Sequence, residues 1–274
     1  MSPWLVEESK STPKYHEIAY MKTPTREIAA DDSILLSLEK GLEPRRGETL
    51  IELGCGSGLR SLHLAKKYAL RLVLVDFTAN AALLARDNAH KMEIACDIVR
   101  CELRHLPLRD ALFDAVWAEG THEHLIVSER WRGFAETRRI AKKGARLMIF
   151  VPNILNPIYQ FEEKIKDRFH VSELYEVPFA RSELDATVRN AGFQVKGRDG
   201  LEVFYTLFAY SLYSLSDVPS IVRPIYRIKR YITRTHFKGN GFGSKVLRAL
   251  RRLDRKFLPK NVFGHEIAII AEAV

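Results

Sequence analysis

From residue 49 to 151, short apolar runs alternate with stretches whose apolar residues recur at helical spacing. TLIEL (49–53) predicts a first strand. GLRSLHLAKKYA (58–69) predicts a helix with Leu59, Leu62, Ala65 and Tyr68 or Ala69 on one face. RLVLVD (71–76) predicts the second strand, and Thr78 stands as an N-cap before the helix at 78–89. A third strand is expected within 93–102, a fourth at 113–120 and a fifth at 145–151, with the amphipathic stretch 129–141 joining the last two. Pro152 then ends the strand. Beyond a less regular part at 152–180 come a helix at 181–193 and a strand at QVKGRD. HEIAIIAEAV (265–274) alternates like a last edge strand that closes the sheet.

Strands alternating with helices predict an α/β fold, doubly wound around a mostly parallel seven-stranded sheet. Segment 201–262 fits no sheet position and reads as a basic, aromatic helical insert. Residues 1–45, with Tyr15, His16 and Tyr20, read as a helical N-terminal lid. The expected organisation is therefore a lid (1–45), a cofactor-binding domain (46–200 plus 263–274) and the insert (201–262).

Composition changes this picture little until charge is located. With 46% hydrophobic and 28% charged residues the chain reads as globular, and no run of 18 apolar residues suggests a spanning helix. The start MSPWLVEESK carries acids and leads into no apolar signal core, so the expected location is the cytoplasm. Cys55, Cys96 and Cys101 are three in number and form no disulfide framework or metal-ligand pattern, so reduced thiols and no metal are expected. The net charge of +9 is concentrated late: between Arg223 and Lys260 there are 13 Lys or Arg and one acid, Asp254, leaving the rest of the chain slightly negative.

Candidate chemistry begins at IELGCGSGLR (51–60). In an open α/β sheet a ligand sits beyond the carboxyl ends of the strands, where glycines admit it to bare backbone amides at a helix N-terminus. A dinucleotide fingerprint needs glycine at the first, third and sixth positions, and Leu59 occupies the sixth. Instead Glu52 precedes Gly54, Gly56 and Gly58, with Cys55 inside the loop. A carboxylate there suits a cationic ligand better than a pyrophosphate. With the motifs that follow it, this stretch resembles the class I S-adenosylmethionine-dependent methyltransferases, of the branch acting on small molecules, lipids and glycans. The likeness covers about residues 45–200 and the last strand.

The resemblance implies S-adenosyl-L-methionine as cofactor and a Rossmann-like methyltransferase fold. It implies that Asp76, 22 residues after Gly54, accepts the ribose hydroxyls and that Phe77 packs on the adenine. Counting back from Leu106-Pro107 selects Glu102 for the adenine amino group, with the amide of Leu103 beside it and Asp97 as the competing register. AEGTHEHL (118–125) matches the loop after strand four, which makes the Ala118 backbone and Glu119 candidate cofactor contacts. Histidine as a residue type ordinarily titrates near neutrality, which makes His122 and His124 candidate bases for an acceptor hydroxyl; the alternative is that they hold the loop together.

Methyl transfer from a sulfonium chiefly requires alignment of nucleophile, methyl and sulfur in a dry site, so sequence speaks to the cofactor more than to the acceptor. After strand four, EGTH replaces the N/D-P-P-Y/F tetrapeptide of enzymes that methylate amide or adenine nitrogens. No Pro-Cys pair suited to cytosine is present either. The loop before strand five, Ala141-Lys142-Lys143-Gly144-Ala145, keeps one glycine of the family's L-K-P-G-G and loses its proline. The expected acceptor is a small molecule or lipid methylated on oxygen or carbon. Alternatives are RNA, with Tyr226, Tyr231 and Phe237 stacking, and a domain that binds without turnover. The basic stretches 223–234 and 243–257 suit either a solvated cap, with Val246, Leu247, Leu250, Leu253 and Phe257 on the packed face, or a peripheral membrane contact through 201–257. Membrane is favoured over RNA because no recognised RNA-binding module is appended.

Overall fold

Strand β1 (Thr49–Leu53) is buried at all five positions, Glu52 included, which requires cover on both faces and neighbours on both edges. Both are present in the computed structural model, which describes residues 28, 32–157, 159–160, 164, 176–201, 203, 224, 227–228, 231–232, 241–257 and 259–274. The lid aromatics Tyr15, His16 and Tyr20, and Tyr226 and Phe237 of the basic segment, lie outside the described residues.

The chain runs α1 (Ser33–Leu42), β1, α2 (Leu59–Tyr68), β2 (Arg71–Asp76), α3 (Ala79–Lys91), β3 (Cys96–Arg100), β4 (Phe113–Glu119), α4 (Arg130–Ile140), β5 (Ala141–Pro152), α5 (Arg181–Asn190), β6 (Phe193–Gly200), α6 (Phe242–Phe257), α7 (Lys260–Phe263) and β7 (Glu266–Ala273). The seven strands order as β3-β2-β1-β4-β5-β7-β6. β1 pairs in parallel with β2 (Thr49 opposite Arg71) and with β4 (Leu50 opposite Ala115). β2–β3 and β4–β5 are parallel too. The chain therefore leaves β1 in one direction along the sheet and returns on its other side at β4, and this reversal opens a crevice at the carboxyl ends of β1, β2 and β4.

Two expectations about the sheet change. β7 lies between β5 and β6, and β6 forms the edge. Ile267, Ala268, Ile269, Ala271 and Ala273 are all buried, so what reads as alternation is a strand covered on both faces. The loop Ala141–Ala145 is part of β5: pairing with β4 slips between Phe113–Ala141 and Ala115–Arg146, and Gly144 takes up the irregularity at φ 77°.

The described residues fall into two compact units, one within 28–151, 176–198 and 268–274, the other within 152–164 and 199–267. In the first, Asp32 caps α1 by accepting the Leu35 N–H at 2.8 Å, and Ile34, Leu38 and Leu42 point into the core. In the second, two fully buried asparagines tie the chain after Pro152 to the chain before β7. Asn153 donates from Nδ2 to the carbonyls of Val262 and Gly264, both at 2.9 Å, and its Oδ1 accepts the Leu155 N–H at 3.0 Å. Asn156 donates to the Phe263 carbonyl at 2.8 Å and accepts the Tyr159 N–H at 2.7 Å.

Within α6, Leu247 is fully buried against Ile232, with Val246 and Leu250 partly buried beside them. Leu253, expected on this face, points to solvent at 49% exposure, and the buried position of that turn is Asp254. The side chain of Phe257 is outside the described residues. No helix among the described residues is long and apolar enough to cross a membrane.

Asn153→Ala removes three hydrogen bonds at a site with no access to water. It is expected to cost about 3 kcal/mol, read as a lower denaturant midpoint in chemical unfolding, and Asn153→Asp should fall short of the wild type because it loses the donor.

Candidate functional site

The crevice holds a cavity of about 300 Å³. Its wall is made by Leu53 and Gly54 at the end of β1, Val75 to Thr78 at the end of β2, Cys101 to Arg104 after β3, and Gly120, Thr121 and His124 to Ile126 after β4.

Gly54 stands at φ 71°, and a β-carbon there would lie 2.0 Å from Thr121 Oγ1. Only glycine satisfies both the backbone angle and the space. Thr121 is that close because its hydroxyl is directed at the carbonyls of Leu53 (3.0 Å) and Glu119 (3.1 Å), which ties the loop after β4 to the tip of β1. Gly58, at φ 67°, opens α2 without a side-chain cap, so the first amides of that helix stay uncovered by its own side chains.

Asp76 organises the loop from the neighbouring strand. Its Oδ2 accepts the Gly56 N–H at 2.9 Å, while Oδ1 accepts the N–H (2.9 Å) and hydroxyl (3.0 Å) of Thr78, the N-cap of α3. Asp76 is buried yet lines the cavity, and a carboxyl group with three donors keeps acceptor capacity for a ligand. Phe77 beside it is 44% exposed. Across the cavity, Glu102 Oε1 accepts the backbone N–H (3.1 Å) and Nε–H (2.8 Å) of Arg104, whose Nη1 pairs with Glu129. Leu103 is buried against the same wall.

Behind the glycines lie acids with little countercharge. Glu52 is buried, and its Oε2 meets no partner among the described residues. Burial pushes its pKa well up, against the opposing Ser61 hydrogen bond. Glu119 is raised as well, by burial, while the Arg60 guanidinium opposes the shift. Arg60 reaches Glu119 Oε2 with Nη1 at 2.5 Å and grips Asp32 with Nε (3.0 Å) and Nη2 (3.2 Å), so one cation joins the start of α1 to the tip of β4. Cys55 packs inside the loop, and burial raises its thiol pKa well above the ordinary value.

The two histidines part company. His124 lines the cavity. His122 is fully buried, its ring 4.4 Å from that of Phe134, and neither ring nitrogen meets a hydrogen-bond partner among the described residues. Burial, with the nearby Arg130 charge, drives its pKa down to about 3. The same pocket of core holds Glu123, whose pKa is raised well up by burial and then by Glu176. Arg130 is buried too: it pairs with Glu183 at 2.6 Å, donates to the Val177 carbonyl and lies 3.8 Å over the Phe179 ring.

Of the residues singled out by sequence, Gly54, Asp76, Phe77, Glu102, Leu103 and His124 line the cavity, while Glu52, Cys55, Gly56, Gly58, Glu119 and His122 are not part of that lining. Thr121, Arg104 and Arg60 carry no sequence signal of their own. Thr121 was within reach as the hydroxyl between Gly120 and His122. Arg60 was not, because its partners are 28 residues before it and 59 after it.

A family model for a methyltransferase domain matches residues 51–149. The chain is 32% identical over 206 residues to a malonyl-[acyl-carrier protein] O-methyltransferase of Geobacter sulfurreducens, which covers 70% of this chain and 69% of that one. It is 27% identical over 107 residues to the 27-O-demethylrifamycin SV methyltransferase of Amycolatopsis mediterranei, a match spanning 38% of this chain and only 39% of the relative. Among solved structures, geranyl diphosphate C-methyltransferase from Streptomyces coelicolor superimposes with a TM-score of 0.56 at 16% identity, covering 89% and 79% of the two chains. That last likeness concerns the fold.

His122 dictates a pH dependence of stability. An unfolded histidine takes up a proton near pH 6.5, whereas the buried ring stays neutral down to about 3. The unfolded state therefore binds more protons in this window, and stability falls as pH drops through it, by up to about 1.4 kcal/mol per pH unit from this group. His122→Leu is expected to flatten the fall between pH 6.5 and pH 4 in denaturant titrations, and an unchanged slope would contradict the neutral buried ring.

Proposed function

The chain belongs to the class I S-adenosylmethionine-dependent methyltransferases, and we propose that the cavity at the β1, β2 and β4 tips takes the cofactor and passes its methyl group to an oxygen or carbon of a small-molecule or lipid-type acceptor. The observation that carries this reading is the cradle itself: bare backbone at Gly54, fixed by the Asp76–Gly56 bond, with Glu52 and Glu119 nearby and Arg60 already engaged by Glu119 and by Asp32 of α1. Such a site favours a positively charged nucleoside over a phosphate ester.

When bound, S-adenosyl-L-methionine supplies an electrophilic methyl group on a sulfonium. The chain's own residues hold and orient. Asp76 has acceptor capacity left for ribose hydroxyls, Phe77 offers an exposed ring for the adenine, and Glu102 with the Leu103 amide faces the base edge. Gly54 to Gly58 and Glu119 border the methionyl end, and Glu52 and Cys55 shape the loop from behind. Leu103, Leu125 and Ile126 make the nearby wall apolar, which keeps water from the reacting line. His124 is the candidate base for an acceptor hydroxyl, because it faces the cavity while His122 is enclosed in the core. His122 is assigned to anchoring the loop.

The two named relatives support an acceptor of the small-molecule or carrier-bound kind, one being a malonyl-carrier and the other a rifamycin methyltransferase. A cytoplasmic enzyme touching the membrane peripherally through 201–257 fits the net positive charge of that stretch.

Asp76→Ala is expected to weaken cofactor binding by about 10- to 100-fold in calorimetry, since it removes the ribose acceptor and releases Gly56. Unchanged affinity would refute the assignment. With labelled cofactor and fractionated metabolite, lipid and RNA extracts, label should enter the metabolite or lipid fraction; label in RNA alone would overturn the acceptor class. On the acceptor so found, His124→Gln should lower kcat by roughly 100-fold or more while cofactor affinity stays close to that of the wild type.

A further inference from the structure

On α6 the residues divide by face. Gly243, Leu247 and Asp254 are buried, with Val246 and Leu250 partly so. Phe242, Lys245, Ala249, Arg252, Leu253 and Lys256 are exposed and recur at the three- and four-residue steps that put them on one side of a helix, with Arg248 flanking them. Phe242 is 62% and Leu253 49% exposed, so a ring and a branched aliphatic stand in water on a face that is otherwise basic and carries no acid. Both lie on the face opposite to Leu247. Elsewhere in the same unit, Ile228 is 59% exposed.

We infer that this face of α6 is a docking surface for an anionic phospholipid bilayer, with Phe242 and Leu253 entering the acyl boundary and Lys245, Arg248 and Arg252 meeting the headgroups. This deepens the membrane contact proposed above. A solvated cap requires the cations but gains nothing from exposing a phenylalanine and a leucine among them. A nucleic acid satisfies the cations through its phosphates, yet leaves Leu253 without an apolar environment. A bilayer with anionic lipids satisfies both at once, because charge and hydrocarbon lie within a few ångströms of each other at its interface.

The test is flotation of the full chain with vesicles of phosphatidylcholine alone or with phosphatidylglycerol added, at low and high salt. The wild type is expected to bind only the anionic vesicles and to be released by salt. Removing three headgroup contacts in Lys245→Gln/Arg248→Gln/Arg252→Gln should weaken binding on the order of 100-fold at low salt. Phe242→Ser/Leu253→Ser should weaken it by at least roughly tenfold while leaving the charge intact. Cofactor affinity, measured by calorimetry on the same proteins, should not change, which separates loss of this surface from loss of the fold.

Three results would overturn the inference: no wild-type binding to anionic vesicles, binding that the Phe242/Leu253 pair does not alter, or a preference for bulk RNA that depends on the cations and ignores the apolar pair. The vesicle measurement needs no turnover. A chain that binds vesicles but not cofactor would therefore sink the catalytic reading alone, and one that binds cofactor but no vesicles would sink this one alone.

Discussion

The hydrogen bond from the Gly56 amide to Asp76 Oδ2 is the constraint around which the site is arranged. It joins the crossover after β1 to the tip of β2, across two strands whose register is already set by five parallel pairs. With Gly56 held, Gly54 must turn at a positive φ and present its backbone to the crevice, and Thr121 closes over the same point from β4. Three strand tips thus meet through one carboxylate, one amide and one hydroxyl. The cavity is set by backbone geometry, and side chains only trim it.

Charge follows from that arrangement. Glu52 sits on the central strand because the turn leaves no solvent path there, so its carboxyl is disfavoured as an anion. Arg60, two residues into α2, offsets part of the excess by spanning Asp32 and Glu119. The pair of contacts gives the β4 tip a defined position and couples it to the start of α1. A cationic ligand in the crevice would favour the ionised forms of Glu52 and Glu119, near which Arg60, shared with Asp32, is a countercharge among the described residues, and this suits the sulfonium and ammonium of the cofactor.

Two further arginines hold the walls. Arg139 on α4 donates to the carbonyls of Leu106 (2.8 Å) and Leu108 (2.7 Å) and pairs with Glu136 and Asp110, fixing the irregular segment that follows Glu102. Arg130, at the start of the same helix, is buried over Phe179 and tied to Glu183 and Val177. A planar fork with five donors does this work where an ammonium would not, since several carbonyls and carboxylates must be satisfied in one plane. The loops around the cavity are irregular in backbone and held by few, charge-assisted bonds.

Sequence by itself determined the alternation of strand and helix, the glycine crossover and the acids at successive strand tips, because each depends on local spacing: periodicity for the elements, and the steric freedom of Gly54 and Gly58 for the turn. It also made Asp76 legible, since a strand end 22 residues beyond the first glycine is a position along the chain. Tertiary structure alone decided that β7 enters between β5 and β6, because a short apolar run reads alike at an edge and in the interior. It also decided that His122 turns into the core while His124, two residues on, faces the cavity, and that Leu253 points outward from α6. The partners of Arg60 belong to the same class. Burial, the direction of a side chain and contacts between distant residues are properties of the packed chain, and no local pattern encodes them.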